Sequence, residues 1–135
     1  MRQTVTFDNL PNPNRALTGS YPAGVIDWGS SGWYLSGPWG QLTSNSVSFS
    51  AGPMSASFTF SAPRRLLQID AYNGGTAPSA VTLACAGQQT VQATLAAGQL
   101  TSIATGWTGP CTTVAITSSN GWDTNFDNLA YDSGP

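Results

Sequence analysis

The chain has 135 residues, with four arginines, six aspartates, no lysine, glutamate or histidine, and a formal net charge of −2. So few cations exclude nucleic acid, whose phosphates demand a basic stripe, and no apolar run approaches the length of a membrane span. Without His, Glu or Lys the usual general bases are missing, and a serine triad is impossible. Two aspartates could form a glycosidase pair, but a domain this small leaves little room for a deep cleft beside a core. The composition therefore predicts a protein that is not an enzyme. A surface of hydroxyls and amides suits a neutral, polar partner.

Length predicts one domain spanning 1–135. The start, Met1-Arg2-Gln3-Thr4-Val5, reads as neither a signal peptide nor a transit peptide, since a strand signal begins almost at once. The sequence reads as a domain excised from a longer protein, with Asp132-Ser133-Gly134-Pro135 as the beginning of a linker.

Thr4-Val5-Thr6-Phe7 alternates and reads as the first strand. Two prolines and three asparagines across 9–14 end it in a rigid loop. Tyr21-Pro22-Ala23-Gly24-Val25-Ile26 then leads into Asp27–Gly40, which holds Trp28, Trp33, Tyr34 and Trp39 among glycines, serines and a proline. That density of Gly and Pro predicts a loop or short edge segments carrying the aromatics.

Strand signals follow at 47–49, 56–60, 66–72, 80–85, 89–95, 100–104, 111–117 and 125–131. Turn residues bound several of them, including Ala51-Gly52-Pro53, Ser61-Ala62-Pro63 and Asn73-Gly74-Gly75. No segment keeps a helical period over two turns. About nine short strands, each with one apolar face, predict an all-β, two-sheet antiparallel sandwich. Cys85 and Cys111 lie at a strand end and a strand start. They read as one disulfide of an exported protein, worth roughly 3 kcal/mol through loop closure; two buried thiols are the alternative.

The aspartates near the C-terminus suggest a metal. Asp123, Asn125 and Asp127 alternate like the opening of a calcium loop, without the glycine and closing glutamate of an EF-hand. The tetrad Phe7-Asp8-Asn9-Leu10 recurs as Phe126-Asp127-Asn128-Leu129, and its three-residue Phe–Leu spacing implies a bulge or strand end. If the first and last strands are antiparallel neighbours, Asp8 approaches this segment, and a structural calcium would clip the termini together. Otherwise each Asp caps its own turn.

Trp28 and Trp107 read first as packing residues, whereas Trp33, Trp39 and Trp122 lie among Gly, Ser and Asn and are expected to be exposed. An exposed indole offers a flat apolar face to the C–H face of a pyranose, while Tyr34, Tyr72, Gln41, Asn45, Asn73 and Asp123 could bond its hydroxyls. Arg64-Arg65 reads as a solvated strand end.

Val5–Leu10, Tyr21…Gly24-Val25…Trp28, Val47-Ser48-Phe49, Phe58-Thr59-Phe60, Trp107-Thr108-Gly109 and Phe126–Leu129 together resemble secreted bacterial jelly-roll, galactose-binding-like domains with FDDL-type ends. Many carbohydrate-binding modules of polysaccharide-degrading enzymes are of this class. The resemblance implies a structural calcium between the first and last strands, at Asp8 and Asp127, and packing roles for Trp28 and Trp107. Both tetrads carry Asn where the motif often has a second Asp.

The combined expectation is a secreted, monomeric, non-catalytic module, appended to a glycoside hydrolase. It would bind a neutral plant polysaccharide: cellulose or another β-glucan first, xylan or mannan next. Trp33, Trp39 and Trp122 would form the platform, with Trp28 and Tyr34 beside it. The competing expectation is a structural or adhesive domain without a sugar ligand.

Overall fold

The computed structural model describes residues 1–133; of the linker expected at Asp132-Ser133-Gly134-Pro135, Asp132 instead belongs to the last strand, and Gly134 and Pro135 fall outside the described residues. Eleven strands form in chain order: β1 (Gln3–Val5), β2 (Arg15–Leu17), β3 (Ile26–Asp27), β4 (Trp33–Ser36), β5 (Ser46–Phe49), β6 (Ser55–Asn73), β7 (Ser79–Cys85), β8 (Val91–Leu95), β9 (Leu100–Ala104), β10 (Cys111–Ser118) and β11 (Thr124–Asp132). A 3-10 turn at Gly121–Asp123 precedes β11.

All pairings are antiparallel, and β6 organises them. Its first half pairs with β10 and β3 (Phe58↔Val114, Phe60↔Ile26), and its second half with β11 and β9 (Ala71↔Phe126, Ile69↔Ile103). One sheet therefore runs β3-β6-β10-β7-β8 and the other β2-β4-β5-β11-β6-β9, the two packing as a sandwich. The turn expected at Ser61-Ala62-Pro63 is instead the stretch where this strand passes between sheets. Pro63 lacks an N–H, and neither neighbouring ladder has a partner for it there.

Alternate residues of both sheets meet in one core. It contains Val47, Phe49, Phe58, Phe60, Ile69, Val81, Leu83, Val114, Ile116 and Phe126, with Trp28 and Trp33. Trp28 packs edge-on against Trp33 with centroids 5.1 Å apart, and Trp33 packs against Phe49 at 5.5 Å.

Two expectations about the tryptophan stretch are corrected here. Trp33 is 1% exposed. The stretch is also more than loop: β4 lies between β2 and β5, inside its sheet. Trp33 pairs with Phe49 and Leu35 with Val47, so one parity of β4 faces the core. The indole Nε1–H is satisfied by the Ser57 carbonyl at 2.8 Å, which removes the polar reason for it to stay in water.

Trp28 is equally buried and donates to the Tyr21 carbonyl at 2.5 Å. Trp107, 5% exposed, donates to the Gln89 carbonyl at 2.6 Å. Cys85 and Cys111 form a disulfide between β7 and β10. Arg65 is not simply solvated: it makes a two-pronged ion pair with Asp132, at 3.0 and 2.7 Å. Arg64 lies over the Tyr131 ring, 5.5 Å from its centroid.

Candidate ligand-binding groove

The residues of β4 that do not face the core, Tyr34 and Ser36, point to the outer face of their sheet. There Tyr34 stands opposite Ser48, Ser48 opposite Asn125, and Asn125 opposite Tyr72, a row across β4, β5, β11 and β6. Tyr34, Ser36, Ser48 and Asn125 line a groove with Asn14 and two further segments, Gly37-Pro38-Trp39 and Trp122-Asp123. Its volume is about 230 Å³.

The first segment is the start of a hairpin-like excursion, closed by reciprocal backbone bonds between Trp39 and Leu42 at 3.0 and 2.9 Å. Leu42 is buried beneath it. The excursion lies across the sheet toward β6 and β9. Trp39 stacks edge-on against Tyr72 at 5.4 Å, and the Gln41 amide donates to the Gly98 carbonyl. Two glycines permit this fit. A Cβ at Gly40 would overlap the Tyr72 ring and hydroxyl, and one at Gly74 would overlap the Trp39 indole.

The second segment is the 3-10 turn. A buried polar network anchors it, in which the Asn120 side-chain oxygen accepts from Ser118, Ser79 and Thr124 while its amide donates to Asn73 at 2.8 Å. The turn needs Gly121, whose φ is +55° and whose Cβ would crowd the Pro53 carbonyl at 3.2 Å. Trp122 leans back over β5 to Tyr34, with centroids 4.7 Å apart.

Trp39 and Trp122, at 38% and 42%, are the exposed tryptophans of the described residues. The structure thus brings together Trp39, Trp122, Tyr34, Asp123 and Asn125 of the residues singled out from sequence. Trp33 and Trp28 are excluded, because both are walled into the core. Of the other polar partners expected, Tyr72 lies under the excursion, Gln41 ties it down, and Asn73 is buried in the network behind the turn. Sequence reasoning missed Ser36, Ser48 and Asn14. The parity of Ser36 with Tyr34 was an available signal for the first; Ser48 and Asn14 needed the strand pairing.

The four residues expected to share a metal divide into two places. β11 is extended from Thr124, so residues two apart on one face lie about 7 Å apart; Asp123 and Asn125 stay at the groove while Asp127 sits further along. Among the described residues no three of His, Cys, Asp and Glu gather as a metal cluster.

Asp8 and Asp127 do approach each other. β1 is antiparallel to the end of β11 (Val5↔Leu129), and both tetrads turn as their spacing implied: Phe7 and Asn128 have φ of 64° and 49°, and the β11 register shifts after Asp127. Asp8 accepts the Asn45 N–H at 2.9 Å, and the Asn45 amide donates to the Phe7 and Leu10 carbonyls at 3.0 and 3.3 Å. Asp127, 3% exposed, accepts from the Asn128 N–H at 2.8 Å and the Ser44 hydroxyl at 3.3 Å. Burial, with the charges of Asp8 and Asp70 behind it, pushes the Asp127 carboxyl up to about 7. The oxygens gathered here, two carboxylates and the Phe7 and Leu10 carbonyls, are those a hard cation prefers, although the Asn45 amide already engages both carbonyls.

A point mutant of a family 29 carbohydrate-binding module superposes with a TM-score of 0.53 at 14% identity, covering 99% of this chain and 93% of the other. Another family 29 carbohydrate-binding module structure gives a TM-score of 0.50 at 13% identity, covering 99% and 90%. The fold is that of the carbohydrate-binding-module sandwiches. The xylanase 10B of Clostridium thermocellum, solved as a family 22 module with its catalytic module and xylohexaose, gives 0.52 at 13% identity. That match covers 90% of this chain and 29% of the xylanase chain. No family model and no curated protein matches the sequence.

Proposed function

We propose that this chain is a non-catalytic module that binds a neutral polysaccharide in the groove between the Trp39 excursion and the Trp122 turn. The observation that carries the reading is the pairing of two part-exposed indoles with the accessible polar side chains of Asn14, Ser36 and Asp123 in one groove. Indole faces take up the apolar faces of sugar rings, while hydroxyls, amides and the Asp123 carboxylate bond the sugar's hydroxyls. No cation lines the groove, which suits an uncharged ligand.

Single chains of β-linked glucose, xylose or mannose are the proposed ligands. A walled groove suits them better than a crystalline cellulose face, which would need an open planar strip. The xylohexaose carried by one structural neighbour and its attachment to a hydrolase support the same class of ligand and a similar parent. The disulfide supports an extracellular setting, and no helix among the described residues is long and apolar enough to cross a membrane.

We further propose that a calcium ion bound by the Asp8 and Asp127 carboxylates neutralises them between the first and last strands; Asp123 and Asn125 line the groove instead. Calorimetric titration with glucan, xylan and mannan oligosaccharides tests the main reading: heats that vanish in Trp39→Ala and Trp122→Ala support it. If wild type binds none of these sugars, the structural or adhesive alternative takes its place.

A further inference from the structure

The two walls of the groove meet at a single residue. The Trp39 indole rests on Gly74, leaving no space for a Cβ, and the Gly74 N–H donates to the Asp123 carbonyl at 2.9 Å. Beyond that junction the sheet is covered: Gly40 sits on Tyr72, and Gln41 bonds Gly98, at the turn leading into β9. The groove is therefore confined to β4, β5 and β11, about 10 Å across at two interstrand spacings, with Ser48 and Asn125 at its base each 1% exposed. Its 230 Å³ falls below the roughly 300–1,000 Å³ of ordinary small-molecule pockets.

Resting on the proposed function, we infer that the groove is blind at Gly74 and binds the end of a glycan chain, or a short oligosaccharide, rather than the interior of a long polymer. A chain entering from the β2 side, past Asn14 and Tyr34, meets Trp39 and Asp123 at the closed end and cannot continue over β6. Trp39 is then both a stacking surface and the stop that selects termini.

Two measurements on the unmodified protein test this. The first is the affinity for β-1,4-linked glucose, xylose and mannose oligomers from disaccharide to hexasaccharide. The second is retention on the matching soluble polymers before and after brief cleavage by an endo-acting hydrolase. A blind groove gives less than about threefold gain in affinity from trisaccharide to hexasaccharide, whereas each extra subsite filled would add up to about tenfold. It also gives retention per unit mass that climbs with the number of chain ends. Affinity that keeps rising to the hexasaccharide, or retention indifferent to cleavage, overturns the blind end while leaving glycan binding in place. Failure to bind any oligomer or polymer overturns the proposed function, and this inference with it.

Discussion

The Trp39 indole lies on the backbone of Gly74, so tightly that a methyl group there would overlap the ring. A position at the end of β6, without side chain of its own, thereby sets the orientation of an aromatic residue from the excursion after β4. Gly74→Ala should displace Trp39 at a stability cost of about 1–3 kcal/mol as an overpacking change, weaken oligosaccharide binding, and alter Trp fluorescence. Calorimetry and emission spectra would show it; unchanged affinity would mean that Trp39 does not contact the sugar.

Four of the five tryptophans should separate into two classes. Trp33→Ala and Trp28→Ala remove fully buried indoles and should each cost about 3–5 kcal/mol of stability. Trp39→Ala and Trp122→Ala, being part-exposed, should lower the melting temperature far less while abolishing most binding. Denaturant melts alongside binding isotherms check both halves. Binding lost only in proportion to stability would undo the distinction.

Asp127 links stability to pH. Its carboxyl titrates near 7 in the folded chain and near 4 when unfolded, so the folded state holds the proton more tightly. This stabilisation is complete below about pH 4 and is lost as pH rises through 7, by on the order of 4 kcal/mol. In EDTA the melting temperature should fall from pH 5 to pH 8, and Asp127→Asn should flatten the slope. Added calcium should restore stability at pH 8 by favouring the carboxylate. Equal melting temperatures in calcium and EDTA at pH 8 would count against the cation.

Reducing the Cys85–Cys111 bond should cost about 3–4 kcal/mol for a closed loop of this length. The bond joins β7 and β10 in the sheet that does not form the groove, so ligand affinity at low temperature should survive. Thermal melts and titrations with and without reductant would measure the two effects separately.

Salt should matter little. With no cation lining the groove, and one carboxylate at its edge, affinity between 50 and 500 mM NaCl should change less than about twofold for an uncharged ligand, even though the screening length falls from about 14 Å to about 4 Å. A steep salt dependence would point to a charged ligand instead.

Much of the scaffold was written into local sequence. Alternation in 80–85, 100–104 and 111–117 marks strands because a half-buried strand needs period two, and the lack of Lys, Glu and His limits acid–base chemistry wherever side chains fall. The repeated Phe-Asp-Asn-Leu tetrads carried their own irregularity, seen as positive φ at Phe7 and Asn128. Trp33 was half legible: its two-residue spacing from Leu35 marks a shared face, but only pairing with Phe49 and Val47 makes that face the inner one. What local sequence could not hold is the fate of Trp39 and Trp122, each beside a glycine as Trp33 is. Their exposure follows from an excursion laid on Gly74 and a turn anchored through Asn120, contacts between residues distant in the chain. Burial of an aromatic ring is a property of what packs against it, and that is decided only when the sheets close.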